Sequence, residues 1–226
     1  MTTQTMANRM AGRGRPGVAS VADVAEVAPS ASFERIAGLC AVLAGLAGFA
    51  YAVAFIVLRD PLLSALFLMV GGLFTSAAMV GVYGRLRHTD ASAALYALAL
   101  SMAGAFGAAI HGGYDLANAI NPPPSLPDLP SAVDPRGLLT FGVAGLGILA
   151  IAWLIGRGGE LPRGLGWLGY LLAALLLMLY VGRLVILTPE GPAILVPALL
   201  TGFVVNPVWL VWLGISLWRE RNATWA

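Results

Sequence analysis

The sequence predicts an all-α protein, a polytopic transmembrane bundle of six helices with both the N and C termini cytoplasmic. Three observations carry this reading. Of the 226 residues, 59% are hydrophobic and 11% charged, with a mean hydropathy of +0.84, whereas a soluble domain carries about a quarter charged residues. The charges leave six charge-free runs, at 36–58, 61–84, 91–114, 137–156, 164–182 and 191–218; each is near or above the roughly 20 residues that a helix needs to cross about 30 Å of hydrocarbon. Finally, every basic residue is Arg, and the arginines are distributed one-sidedly along the chain. The runs are apolar on every face, unlike barrel strands of about 10 residues that alternate apolar and polar.

Allowing for flanking residues, the spans are placed at 33–58, 62–84, 92–118, 138–156, 166–187 and 193–217. They form a transmembrane domain over 33–219, between a disordered cytoplasmic tail at 1–32 and a short cytoplasmic tail at 220–226. The N-terminal tail lacks the 7 to 15 residue apolar core of a cleavable signal peptide. Its stretch Ala11-Gly12-Arg13-Gly14-Arg15-Pro16-Gly17 lacks the Lys-Ser/Thr ending of a phosphate-binding loop; contact with anionic lipid suits its arginines better. Cys40 lies alone within the first span, so neither a disulfide nor a thiolate metal site follows.

Between the first two spans, Arg59-Asp60-Pro61 is a tight connection, with Asp60 as helix N-cap and Pro61 at the first helical position, where its missing N–H costs nothing. Counting arginines along alternate connections orients the bundle. One side holds Arg9, Arg13, Arg15, Arg35, Arg85, Arg87, Arg157, Arg163, Arg219 and Arg221; the other holds Arg59 and Arg136. Ten against two places both termini in the cytoplasm by the positive-inside rule. All six tryptophans, Trp153, Trp167, Trp209, Trp212, Trp218 and Trp225, then fall in the cytoplasmic half or beyond, as a one-sided aromatic belt. The same topology makes the Asn222-Ala223-Thr224 sequon cytoplasmic and therefore idle.

On the third helix Gly104, Ala108, His111, Asp115 and Asn118 step by four, three, four and three, one stripe that begins small and ends polar. Such a stripe faces protein or water rather than lipid. Asp115 near the outer end of this helix and Arg183 near the outer end of the fifth, with Tyr180 one turn before it, are expected at matching depth. An ionised group near hydrocarbon is usually paired. The expectation is an Asp115–Arg183 ion pair with His111 one turn deeper; Arg183 snorkelling to the headgroups is the plainer alternative. Ala44, Gly48 and Ala52 form a small-residue row on the first helix, and Gly104, Ala108 and Gly112 another on the third; both suit close helix packing within the chain or between copies.

The third loop, 119–137, is external and carries Pro122, Pro123, Pro124, Pro127, Pro130 and Pro135, a semi-rigid spacer or a lid over an outward cavity. In the sixth span Asn206-Pro207 removes a helical hydrogen bond near mid-membrane and frees the Phe203 carbonyl, which predicts a kink. The shared Gly-Arg-Leu of Gly84-Arg85-Leu86 and Gly182-Arg183-Leu184, three helices apart, is too short to establish an inverted repeat.

Cofactor chemistry finds no support. The two histidines, His88 and His111, are expected at opposite ends of the bundle and cannot share a haem iron. No His, Cys or carboxylate cluster suits a metal, and no nucleophile stands beside His111 and Asp115 in sequence. Nothing points to a nucleic-acid partner.

Three segments together resemble a bacterial multi-pass membrane family known only as a domain of unknown function. They are Arg35-Ile36-Ala37-Gly38-Leu39; the stretch from Gly159-Glu160-Leu161-Pro162-Arg163 through Gly164-Leu165-Gly166-Trp167-Leu168-Gly169; and Pro207-Val208-Trp209-Leu210-Val211-Trp212-Leu213-Gly214 with Leu217-Trp218-Arg219. The resemblance covers roughly 33–219. It implies a helical bundle in the cytoplasmic membrane, and neither activity nor catalytic residues.

The functional expectation is a non-enzymatic binding or accessory membrane subunit. Its small outward polar site is lined by His111, Tyr114, Asp115, Asn118, Tyr180 and Arg183. A small transporter or channel ranks second and an intramembrane enzyme third. The expected partners are the lipid bilayer and either another membrane protein or a second copy of the chain.

Overall fold

A computed structural model describes residues 31–122, 135–185 and 191–219. The expected N-terminal tail up to residue 30, most of the proline-rich loop, the end of the fifth helix at 186–187 and the C-terminal tail lie outside the described residues. Those that are described form helices and no strand. Six helices are long and apolar enough to cross a membrane, and the chain is a multi-pass membrane protein.

The first span is the α-helix Ala31–Ala52, continued by a π-helical turn, Val53–Leu58. Its end is set by Arg59, which adopts a left-handed conformation with φ 52°, while the Asp60 N–H donates to the Ala54 carbonyl at 3.0 Å. Asp60 is indeed the N-cap of the second span, Pro61–Leu86: its carboxylate accepts from the Leu62 and Leu63 amides at 2.9 and 3.0 Å, with Pro61 in the first turn. Asp90 caps the third span, Ala91–Ile120, in the same way through the Ala93 amide. The fourth span begins as a short turn, Pro135–Gly137, passes through a second π-helical turn, Leu138–Val143, and continues as Ala144–Gly158. The fifth is Arg163–Val185.

The sixth span comprises Pro192–Leu200, a third π-helical turn, Thr201–Val205, and Asn206–Arg219. The break expected at Asn206-Pro207 thus takes the form of one widened turn just before Asn206, whose amide donates to the Thr201 carbonyl five residues back. Pro197, inside the preceding segment, adds a second interruption that removes another helical hydrogen bond.

Each span packs on the next, and the first and sixth pack together as well, closing a ring of six helices among the described residues. Residues 31 and 219 share one end, called here the terminal end, and the last turns of the first, third and fifth spans lie toward the other, distal end. Glycines set the closest approaches. An added Cβ at Gly72 would lie 2.6 Å from both the Ala105 carbonyl oxygen and the Ala109 nitrogen of the third span. At Gly38 and Gly45 it would meet the Gly214 and Pro207 carbonyl oxygens of the sixth span at 3.0 Å. Backbones that touch this closely draw on dispersion and helix-to-helix fit, the forces available where lipid is as apolar as the core.

The axis of the ring is filled only in its terminal half, where Ala37, Ala41, Met79, Val82, Leu86, Ile151, Leu165, Leu213 and Leu217 are buried. That end is also pinned by polar contacts. Arg85 pairs with Glu34 at 3.3 Å and donates to the Leu217 carbonyl at 3.2 Å, linking the second, first and sixth spans; the Trp218 indole donates to the Arg35 carbonyl at 2.9 Å. Trp209 departs from the expected aromatic belt. It is fully buried, its indole N–H donating to the Leu165 carbonyl at 3.1 Å, so it is a core residue between the fifth and sixth spans. The belt description suits the exposed Trp153, Trp167, Trp212 and Trp218, while Trp225 lies outside the described residues.

Candidate functional site

The distal half of the ring is hollow. A cavity of about 320 Å³ lies on its axis with walls from all six spans, within the range of small-molecule sites, roughly 300–1,000 Å³. Most of the lining is apolar, with Tyr51, Thr75, Ser101, Thr140, Thr201 and Asn206 among its polar members. Each π-helical turn contributes two residues to this wall: Phe55 and Ile56 from the first span, Thr140 and Phe141 from the fourth, Thr201 and Gly202 from the sixth. A π-turn inserts an extra residue and re-aims the side chains after it, and such turns are frequent at functional sites. Three of them around one cavity explain why the distal ends of these helices leave space there. The small row on the first helix serves the same space: Ala44 and Ala52 line it, and Gly48 admits the Asn206 amide, whose Nδ2 lies 2.8 Å from where a Cβ would sit.

Beside the cavity the polar stripe of the third span meets the fourth. The Gly104 backbone packs on Ala144, Ala108 lines the cavity, His111 Nδ1 lies 3.3 Å from the Thr140 hydroxyl, and Asp115 pairs with Arg136 at 2.8 Å. His111 Nε2 is 3.4 Å from the other carboxylate oxygen of Asp115, one turn along the helix. A carboxylate only accepts, so the tautomer with the proton on Nε2 directs it at Asp115 and leaves Nδ1 to accept from Thr140. The Arg136 guanidinium also lies over the Tyr114 ring, 4.4 Å from its centroid, which adds a cation–π contact. The cluster grades from wet to dry: the side chains of Asp115, Arg136 and His111 are 42, 29 and 15% exposed, and Thr140 is buried. Thr140 lies on the cavity wall, so one residue belongs to both the cluster and the cavity.

Of the residues expected at the site, His111, Tyr114 and Asp115 come together. Asn118 follows on the same face of the third span, half-buried. Tyr180 packs its ring on Gly142, 3.0 Å from where a Cβ would sit, and thus backs the π-turn that carries Thr140. Arg183 belongs to the fifth helix, but its side chain lies outside the described residues, as does the expected Asp115–Arg183 pair; the described cationic partner of Asp115 is Arg136. Two members, Thr140 and Arg136, escape sequence reasoning. Arg136 reads as a loop arginine beyond six prolines, and Thr140 as an ordinary span residue. The available signal is that both fall in the first turns of the fourth span, at the height of the polar end of the third.

Among the described residues, no group of three or more His, Cys, Asp or Glu side chains could hold a metal ion. Thr140, His111 and Asp115 do have the connectivity of nucleophile, base and orienting acid. Asp115, however, is held more closely by Arg136 than by His111, which competes for the carboxylate that would orient the imidazole. Compared with known proteins, the chain matches no family model, no curated protein and no solved structure.

Proposed function

We propose that this chain is a non-enzymatic binding protein of the bacterial cytoplasmic membrane, a member of the multi-pass family it resembles, with both termini in the cytoplasm and the distal cavity facing outward. The observation that carries the reading is Thr140, which lies on the wall of the apolar cavity while its hydroxyl sits against His111 of the His111–Asp115–Arg136 cluster. An apolar enclosure with a few convergent polar groups is the ordinary form of a ligand site. The three π-turns that open the cavity support the same reading. Binding is favoured over passage because the cavity reaches Asn206 and Trp209 and the axis beyond is packed with buried side chains.

In this role the protein holds a small molecule on the outer side of the membrane, for itself or for a membrane-protein partner. The test is purification in nanodiscs formed directly from membranes, followed by mass spectrometry of retained small molecules. A stoichiometric occupant lost in Ala198→Phe, which fills the lining, is the expected result; transport of a solute by the purified chain in liposomes overturns it. The Thr140–His111–Asp115 connectivity favours acyl transfer as the second reading. If turnover of lipid esters disappears in Thr140→Val and survives in Thr140→Ser, that reading replaces the first.

A further inference from the structure

We propose that the occupant is an uncharged single-chain amphiphile, an apolar chain bearing an alcohol or carbonyl head, and that it enters sideways from the lipid between the first and sixth spans. The proposal rests on the binding reading and names its ligand class and route.

Charge decides the class. Among the described residues the cavity wall carries hydroxyls, the Tyr51 phenol included, and one amide, and no carboxylate, histidine or arginine; an ionised head placed there lacks a counter-charge, the costly situation in hydrocarbon. The charges of the cluster beside Thr140, Asp115 and Arg136, already neutralise each other at 2.8 Å. The head must nonetheless be polar. Ser101 Oγ and Thr201 Oγ1 are buried, with their residues 5 and 8% exposed, and neither has a hydrogen-bond partner among the described residues. Buried hydroxyls are ordinarily satisfied; both residues belong to the cavity lining, and a χ1 rotation that turns either hydroxyl to the cavity lets an alcohol or carbonyl oxygen satisfy it.

The route follows from how the ring closes. At the terminal end the first and sixth spans interlock through Gly38 and Gly214, and contact persists to Ala52 and Gly202. Beyond that pair they diverge: Val53–Leu58 packs on the second span, and Pro192–Leu200 on the fifth. Phe55 and Leu195, one from each side of the gap, line the cavity and yet are 56 and 41% exposed. In spans of this kind an exposed flank faces lipid, so a chain passes from bilayer to cavity without crossing water. Size bounds the occupant: a dry cavity of 150 Å³ holds benzene, so about 320 Å³ takes on the order of a dozen carbon atoms.

The experiment uses the full chain in nanodiscs and photoreactive dodecanol, with dodecanoate and dodecyltrimethylammonium carrying the same photoreactive group. Adducts are mapped by mass spectrometry. Dodecanol is expected to label Tyr51, Phe55 and Ala198, to be competed by unlabelled dodecanol, and to lose about tenfold in competable labelling in Thr201→Val or Ala198→Phe. Equal competable labelling by either ionic analogue overturns the uncharged class and leaves the binding reading standing. Absence of competable labelling by all three overturns the binding reading itself. For the route, Phe55→Cys and Leu195→Cys are joined by a bifunctional maleimide in a Cys40→Ala background. Labelling slowed about tenfold is expected, and an unchanged rate overturns lateral entry.

Discussion

Adjacent glycines on the second and third spans give paired substitutions of opposite sign. An added Cβ at Gly112 would press on the Met69 nitrogen and lie 2.6 Å from the Ala65 carbonyl oxygen and 2.9 Å from Met69 Cα. All three are backbone atoms, so no side-chain rotation relieves the overlap. Carbon contacts settle near 3.5–4.0 Å, so Gly112→Ala must push the two helices apart by about 1 Å. Overpacking of this kind costs about 1–3 kcal/mol, and the rigid neighbours put it at the upper end. Alanine returns about 1 kcal/mol in helix propensity, leaving a net loss of about 2 kcal/mol. At Gly113 the nearest atom to a new Cβ is the Met69 sulfur at 3.7 Å, an ordinary contact, so Gly113→Ala keeps the propensity gain alone. Gly72→Ala, against the Ala105 and Ala109 backbone, and Gly71→Ala, 3.5 Å from Ala47 Cβ, repeat the contrast on the facing helix. Unfolding by SDS in mixed micelles, followed by helical circular dichroism, reads the difference as about 3 kcal/mol within each pair. If the members of both pairs agree within about 0.5 kcal/mol, the second and third spans do not meet backbone to backbone as described.

Three further outcomes are expected in the same unfolding assay. Glu34→Gln or Arg85→Gln loses about 3 kcal/mol, because the pair is only 12 and 11% exposed and either change takes away the counter-charge that the other faces at 3.3 Å; a loss below about 1 kcal/mol identifies a solvated pair. A double-mutant cycle on Asp115 and Arg136 gives a coupling below about 1 kcal/mol, since both side chains are well exposed; a coupling of several kcal/mol requires a much drier pair. Arg59→Gly stabilises the protein by up to about 1 kcal/mol, because glycine adopts the left-handed conformation at φ 52° without the Cβ penalty. Destabilisation there assigns Arg59 a contact that outweighs its backbone strain.

Residues acting through composition or local geometry were legible in the sequence. The charge-free runs marked the spans because hydrocarbon excludes charge over a whole helix length, and Asp60-Pro61 marked a cap because capping involves only neighbours in the chain. The stripe from Gly104 to Asn118 was legible as a face needing partners. Which helix supplies them was not, because that depends on how the ring closes: the fourth span brings Thr140 and Arg136 to the stripe. Trp209 shows the same limit, since a tryptophan at that depth suits a membrane interface or a helix contact equally, and only the fifth span's Leu165 carbonyl settles it. The π-turns are harder still to read. Pro207 announces one of them, but those at Val53–Leu58 and Leu138–Val143 contain no proline.

By itself, the sequence determined that the described chain is helical, with six segments long and apolar enough to cross a membrane, because burying a backbone in lipid depends on the length and apolarity of each segment taken alone. Tertiary structure alone decided that the six helices form a ring closed by glycine contacts, filled at one end and hollow at the other. It also decided that a histidine, a carboxylate and a guanidinium gather beside that hollow. Those outcomes depend on distances between residues far apart in the chain, which helix packing sets and composition does not.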